Sequence, residues 1–372
     1  MSNSFITVKE IARRTLPRLI ENLVFPNLIY KDFSEDFVSG KGATIQVKKP
    51  VVLTASDFDQ SNGTSPQDVK EESVEVTLDK LATVDVEFSA IERATNVDSL
   101  DRLFAEPAAV ALAQKINSDG LDVYKDIPYT TGTAGTTPST IQALSDVRKL
   151  LNQNKVPVAG RVAVWDTEAD ANFTTIDAIL NAEKSGSTQA LREGSIGRVM
   201  GLDNYMSQAV KTHTKGTLAA TGSGAKILLK GAADKATEVT FDTGGTALTG
   251  TLKKGDLLTI GTAKCVVTED ATAASNEIDV KVYPAVTAAD NAEVTITANH
   301  TNNLAFNPFA FAFVTRPLVA PAGVESYVTS YNGITLRVTR GYDMKYKKDM
   351  LSMDVLYGYK TMYPELAVRA LG

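Results

Sequence analysis

Imidazole is the scarcest chemical resource in this chain: among 372 residues, only His213 and His300 carry it. A serine triad would need one of them as its base, yet neither a Gly-x-Ser-x-Gly elbow nor a His-Glu-x-x-His helix occurs. The two sit in Thr- and Asn-rich junctions, Lys211-Thr212-His213-Thr214 and His300-Thr301-Asn302-Asn303. A metal held between the junctions is one reading. No carboxylate or cysteine stands at ligand spacing from either ring, so two surface or hydrogen-bonded linker histidines is the simpler one. Cys265 is the single cysteine, which excludes an intrachain disulfide and a Cys-based zinc site. Its setting, Ala263-Lys264-Cys265-Val266-Val267, suits a small buried hydrophobe.

Paired carboxylates are the next chemistry to consider, because glycoside hydrolysis needs two of them across a scissile bond. Asp98/Asp101 and Glu71/Glu72 are such pairs, but helix amino-terminal charge and a solvated loop tip account for them more simply. Gly222-Ser223-Gly224-Ala225-Lys226 has the texture of a phosphate cradle. It lacks the third glycine of G-x-G-x-x-G and the G-K-[ST] ending, and it opens a strand, so no helix amino terminus faces a phosphate. It reads as a linker. Trp165 ends a predicted strand and fills core. No catalytic constellation assembles, and the expectation is a non-enzyme without metal or cofactor.

The elements that carry these residues form an ordinary globular chain. Lysine plus arginine is 38 against 44 acidic residues, a formal charge of −6, with 43% hydrophobic and 22% charged residues. A net acidic chain argues against a dedicated nucleic-acid reader, although a local basic patch can still touch phosphate. At about 150 residues per domain, two or three domains are expected. No basic region precedes an apolar core at the amino terminus, and Phe309 to Val314 is far too short for a membrane span. A water-soluble chain made in the cytoplasm, with no membrane contact, is therefore expected.

Thr7-Val8-Lys9-Glu10 has capping-box spacing. Val8, Ile11, Leu16, Leu19, Ile20 and Leu23 then recur near helical period, with Lys9, Arg13, Arg14 and Arg18 on the other face and a kink expected at Pro17. Packing on its own domain and binding a partner both fit this arm. From Ala43 to Phe88 the period changes to two: Ile45 and Val47, then Val74, Val76 and Leu78, alternate with polar residues. These are two long strands around a polar tip, Ser56 to Glu72. A two-stranded ribbon is marginal alone in water, so its apolar face needs a surface, with a neighbouring subunit as a candidate.

Asp98 to Asp126 reads as helix, with Pro107 as the first residue of a second segment. Ile141 to Asn152 is an amphipathic helix, Arg161 to Trp165 a strand, and Glu168 to Asn181 a helix. Beyond Gly216 the texture shifts to short turn-punctuated runs: Ile227 to Lys230, Glu238 to Phe241, Leu257 to Ile260, Cys265 to Thr268, Glu277 to Val282 and Glu293 to Thr297. Such spacing predicts a small all-β barrel inserted into a parent domain that resumes at Leu304.

In this order of parts, certain residues carry a resemblance. They are Asn154-Lys155-Val156-Pro157 with Arg161-Val162-Ala163-Val164, then Gly201-Leu202-Asp203-Asn204-Tyr205 with Ser207 and Lys211-Thr212-His213-Thr214. Leu252-Lys253-Lys254-Gly255-Asp256-Leu257-Leu258-Thr259-Ile260 and Leu304-Ala305-Phe306-Asn307, leading into Phe309-Ala310-Phe311-Ala312, follow. Over nearly its whole length the chain resembles the major capsid (coat) protein of tailed bacteriophages, the HK97-like fold, and within it the short-tailed enterobacterial phage coat proteins with an inserted β-barrel.

The resemblance implies an α+β, HK97-like capsid fold with N-arm, E-loop, peripheral and axial domains and an inserted all-β barrel domain. Residues 1–35 would be the N-arm, 36–90 the E-loop ribbon and start of the peripheral domain, and 91–140 the spine helix. Residues 141–215 would begin the axial domain, 216–300 form the inserted barrel, and 301–372 return through the axial domain to the peripheral sheet. It further implies pentamers and hexamers of this chain closing into an icosahedral shell around packaged double-stranded DNA, with scaffolding and portal proteins as partners. DNA contact would be non-specific, with assembly in the host cytoplasm and residence in the virion capsid. Lys41, Lys48, Lys49, Glu71, Glu72, Glu75 and Asp79 of the ribbon are the candidate subunit-interface residues. Lys9, Arg13, Arg14 and Arg18 are the candidates for facing scaffold or DNA. In such folds a crosslink can join an E-loop lysine to a neighbour's asparagine; Lys48 and Lys49 lie in the ribbon, but no motif places their partner, and no crosslink is assigned. The turn Asp242-Thr243-Gly244-Gly245 is a candidate inter-capsomer loop. Two alternatives are a nanocompartment shell of the same fold and an adhesin-like carbohydrate-binding module, for which the insertion offers only Phe241 and Tyr283 as aromatics.

Overall fold

The computed structural model describes residues 8–31, 44–48, 73–89, 100–181, 186, 189–222, 224–344 and 348–372. It is a mixed α/β chain that divides into two compact units, Met1–Ile20 with Lys31–Leu112 and Ala312–Met362, and Glu21–Tyr30 with Ala113–Phe311 and Tyr363–Gly372. Among the described residues no helix is long and apolar enough to cross a membrane.

In the first unit the helix Val8–Asn22 buries Val8, Ala12, Thr15, Leu16 and Leu19, a stripe at helical spacing. Pro17 lies inside that helix on its exposed side, where water can take the backbone bond its missing N–H leaves open. A five-stranded sheet runs in the order Phe311–Arg316, Lys348–Thr361, Ile334–Asp343, Glu325–Tyr331, with Lys80–Ser89 also paired to Lys348–Thr361. Leu336 and Val338 on one strand and Leu351, Met353, Val355 and Tyr357 on the next are buried at period two, as a sheet with one core-facing side requires. Thr44–Lys48 and Ser73–Thr77 form an antiparallel ribbon with Gln46 opposite Glu75 and Lys48 opposite Ser73. The ribbon's tip lies outside the described residues.

Leu100–Leu121 is one helix, passing through Pro107 where a new segment was expected. Pro107 itself is exposed, so its ring meets no packed neighbour and the helix need not restart. The single helix expected over 168–181 is also corrected. It is two, Thr167–Thr174 and Asp177–Leu180. Thr174 and Thr175 hydroxyls donate to the carbonyls of Ala171 and Asn172, and Ile176 takes an extended conformation between the two turns.

The second unit holds a seven-stranded sheet in the order Thr130–Thr131, Ala367–Leu371, His300–Phe306, Val162–Trp165, Leu202–Met206, Arg198–Val199, with Thr212–His213 paired to His300–Phe306. Val162–Trp165 and Ala367–Leu371 are buried along their whole length, as strands covered on both faces are. Helix Ile141–Gln153 contributes Leu144, Val147 and Leu151 to a core with Trp165 and Phe173. Trp165 is 1% exposed, meets Phe173 edge-on at 4.8 Å, and donates to Asn204 Oδ1. Asn117 Oδ1 accepts from Val24 and Phe25 N–H groups, capping the short turn Phe25–Leu28.

Between Thr212–His213 and His300–Phe306 the chain makes a closed six-stranded barrel, ordered Ile227–Leu229, Ala233–Asp242, Ile278–Ala288, Ala263–Val267, Leu257–Ile260, Glu293–Ile296. Each of the six runs singled out in the sequence supplies one of these strands. Phe241, Val239, Ile260, Leu258, Cys265, Ile278 and Val280 fill the interior. The strands entering and leaving it pair with each other, His213 opposite His300.

Candidate functional site

The barrel's base is tied to the seven-stranded sheet by a buried polar network. Asp256, in the turn before strand Leu257–Ile260, is 0% exposed. Its carboxylate accepts from Gly216 N–H at 3.2 and 3.1 Å, from Lys253 N–H at 2.7 Å, and from His213 Nε2 at 2.8 Å. With Nε2–H donating to that carboxylate, Nδ1 of His213 is the acceptor for the Tyr124 hydroxyl at 3.0 Å. Gly216 has to be glycine for this: an added Cβ would stand 2.1 Å from the Thr251 carbonyl. Gly255, at φ +96°, presses against Lys125 on the short turn Asp122–Asp126, where a Cβ would meet Lys125 Cγ at 2.8 Å.

Arg369, central in the carboxy-terminal strand, is 0% exposed. Its guanidinium donates to Asn302 Oδ1 at 2.9 and 2.6 Å, to the Gly255 carbonyl at 3.2 Å, to Ile127 O at 3.5 Å, and to His300 Nε2 at 2.8 Å. The Tyr124 ring lies under it at 5.0 Å. Burial disfavours the charge and lowers Arg369 to about 9, against the favourable field of Asp256; it remains a cation at neutral pH. Burial also raises the Tyr124 hydroxyl to about 12. The histidine rings are 5.5 Å apart. At the rim, Lys211 bridges to Asp122 at 2.8 Å and Lys254 to Asp126 at 2.8 Å. A second anchor lies alongside, where Tyr283 donates to Glu365 and packs with Leu257, Val266 and Leu371.

The two histidines are therefore hydrogen-bonded, as the simpler sequence reading has it, but both are buried, at 4% and 2% exposure. His213 does have a carboxylate partner, which arrives from 43 residues further along the chain and so escapes any spacing argument. Arg369, Asp256, Tyr124 and Asn302 were missed. A signal for Arg369 exists: it is a lone charge in the otherwise apolar run Ala367-Val368-Arg369-Ala370-Leu371. Chemically the cluster is closed: every ring nitrogen has a partner, and no nucleophile is exposed.

On the arm, Arg14 pairs with Glu10 at 3.1 Å and Arg18 with Glu106 at 3.3 Å, while Lys9 stands over the Tyr327 ring at 5.8 Å; Arg13 is exposed. On the ribbon, Glu75 is exposed opposite Gln46, and Asp79 follows the second strand, also exposed. Lys48 stands opposite Ser73 in the ladder. Lys41, Lys49, Glu71 and Glu72 lie outside the described residues, as do Asp98 and the ribbon tip. The Asp242–Gly245 turn is a local structure in which Gly244 N–H donates to Asp242 and the Thr243 hydroxyl to Thr246 O.

The carbohydrate-binding alternative fails on its aromatics: Phe241 is 0% exposed inside the barrel, and Tyr283 is committed to Glu365. Cys265 is buried, with its thiol pushed up to about 12 by desolvation. Among the described residues no group of three or more His, Cys, Asp and Glu is placed to hold a metal ion. A shallow groove lined by Ser145, Arg148, Lys149, Asn152 and Gln153 runs along a single helix, so no groups converge on it.

No family model and no curated protein matches the chain in sequence. Solved structures do match in three dimensions. One from Mycobacterium phage Che8 aligns with a TM-score of 0.56 and 17% identity over 94% of this chain and 90% of its own. The capsid structure of the cyanophage P-SCSP1u aligns at 0.50 and 11% identity over 89% and 84%. The matches run over almost the full length of each partner, and the fold of this chain is the phage capsid fold.

Proposed function

We propose that the chain is a major capsid protein, acting structurally and not catalytically, whose copies assemble as pentamers and hexamers into an icosahedral shell around phage double-stranded DNA. The observation that carries the reading is the near-complete structural match to a phage capsid subunit at both ends of the alignment. In this reading Val8–Asn22 is the N-arm, the ribbon ending at Thr77 is the extended E-loop, Leu100–Leu121 is the spine helix, and the barrel is an inserted domain. Ring-shaped assembly by heterologous contact requires each subunit to offer one surface to the next, and a protruding ribbon is suited to that. Scaffolding and portal proteins would be its partners in the host cytoplasm, with non-specific DNA contact inside the finished virion. Negative-stain electron microscopy of the expressed chain, alone and with a candidate scaffolding protein, tests this. Capsomers, shells or aberrant polymers are expected; a monodisperse monomer at high concentration under both conditions overturns it.

A further inference from the structure

The network at the barrel's base contains a cation that, among the described residues, has no carboxylate in contact. Arg369 gives its donors to Asn302, two carbonyls and His300. A guanidinium has no acceptor, so Nε2 of His300 must offer its lone pair, and the ring's own proton must sit on Nδ1, which donates to the Ala298 carbonyl at 2.7 Å. A second proton can enter the ring only at Nε2, the atom to which Arg369 donates. Two donors and two cations would then meet in a site closed to water, where the cost of like charge is greatest.

Of the groups around the pair, the Ala298 carbonyl and the Asn302 side chain favour the charged ring, and burial outweighs them. His213 faces His300 from the neighbouring strand, and its Nε2–H is already committed to Asp256. Asp256 satisfies two backbone amides from the barrel turn and the linker. Tyr124 offers only its ring face to Arg369, and its hydroxyl to His213. Asp122 and Asp126 are held at the rim by Lys211, Lys125 and Lys254. Asn302 Oδ1 is spent on Arg369. Among the described residues no carboxylate touches His300.

We propose that His300 and Arg369 form an acid-released latch: a proton taken from solvent onto His300 Nε2 replaces their hydrogen bond with repulsion and detaches the barrel's base from the carboxy-terminal strand. Burial opposes that proton and lowers His300 to about 4, with Arg369 and His213 acting in the same direction, so the latch stays closed at neutral pH. The latch is internal to one chain and is independent of whether that chain builds a shell.

Hydrogen exchange on the full chain, corrected for intrinsic chemical rates, tests the proposal between pH 7 and pH 4. The reporters are the amides of Asn302, whose side chain accepts from Arg369, and Gly216, bonded to the carboxylate that holds His213, which donate to Lys211 O and to Asp256 beside the latch; Val239 and Val280 inside the barrel are the controls. In the wild type the reporters should lose protection at least tenfold at the acid end while the controls do not, and His300→Gln, neutral at every pH and still able to accept from Arg369, should lose less than twofold. Equal opening in both proteins, or none in the wild type, overturns the latch. Should His300→Gln fail to fold, ring-labelled histidine in the wild type decides, since the chain has two histidines to resolve. Titration of the His300 ring coincident with opening supports the latch, and opening while that ring stays neutral overturns it.

Discussion

Arg369 Nη2 and His300 Nε2 meet at 2.8 Å although the two residues are 69 positions apart in the chain. Through the same guanidinium, the carboxy-terminal strand reaches the barrel turn at Gly255 and the short turn at Ile127. One side chain thus joins three segments. Beside the apolar cluster of Leu257, Val266 and Leu371, these directional bonds hold the barrel to its sheet and either form together or leave buried acceptors bare.

Removing that side chain should therefore be costly. Arg369→Met keeps the apolar stem but strands Asn302 Oδ1 and the Gly255 carbonyl, and removes the buried positive charge whose field Asp256 feels without touching it. Breaking a buried charged network in this way costs about 3–5 kcal/mol. Urea unfolding of the monomeric subunit should show the loss, with Arg369→Lys falling between the two because one ammonium cannot span the same acceptors. A midpoint unchanged in Arg369→Met would mean that water replaces the guanidinium.

Stability should also fall with acid in a defined window. His300 takes up its proton near the ordinary 6.5 in the unfolded chain and only near 4 in the folded one. Between those values the unfolded state binds more protons, so this contribution is complete above 6.5, declines as pH falls, and is lost below about 4. The difference corresponds to about 3 kcal/mol. Urea midpoints measured from pH 7 to pH 4 should decline more steeply for the wild type than for His300→Gln, and parallel curves would assign the acid sensitivity elsewhere.

The barrel was legible because each strand advertises itself locally: Leu257-Leu258-Thr259-Ile260 and Glu293-Val294-Thr295-Ile296 are short runs with turns on both sides, and closure follows from having no edge to leave bare. The joint was not legible because its members come from separate regions. Tyr124 and His213 are 89 residues apart, and His213 and Asp256 are 43 apart. Helical periodicity likewise cannot show that Pro107 is carried within one helix, since the outcome depends on whether the proline ring meets a packed neighbour.

Within the barrel, Phe241 is a large side chain buried against Val239, Ile278 and the opposite wall. Phe241→Ala should cost about 3–5 kcal/mol through lost transfer energy and the cavity left behind. The effect should be concentrated in exchange rates of the barrel amides, while the amides of Val162–Trp165 keep their protection. Uniform loss in both regions would show that barrel and sheet unfold as one cooperative unit.

The arm's basic face makes contacts within its own chain, which sets a limit on what its charges contribute to stability. Arg14–Glu10 and Arg18–Glu106 are exposed pairs worth about 0–1 kcal/mol each. Replacing Lys9, Arg13, Arg14 and Arg18 by glutamine should shift the melting of the subunit only slightly while reducing scaffold-directed assembly or DNA packaging. Equal damage to folding and assembly would show that the face braces its own subunit and nothing more.

The ribbon register sharpens the test of its charges. Lys48 stands across from Ser73, and Glu75 across from Gln46, so these two charges are diagonal neighbours and not a direct cross-strand pair. Charges at diagonal ladder positions contribute little within one chain, and reversing Lys48 to glutamate should leave the isolated subunit folded. A shell repeats every ribbon contact around each capsomer, so a loss too small to unfold a subunit accumulates over many interfaces. Lys48→Glu should therefore slow or misdirect assembly, and more so at low salt, where repulsion between exposed charges is least screened. Glu75→Lys should do the same. The informative measurement is the mixture: if the ribbon lies on a neighbouring subunit, Lys48→Glu and Glu75→Lys subunits should co-assemble better together than either does alone. Assembly of both variants at the wild-type rate at every salt concentration would show that these charges are solvated and that the ribbon is held by its apolar face, with Val76 as its buried centre.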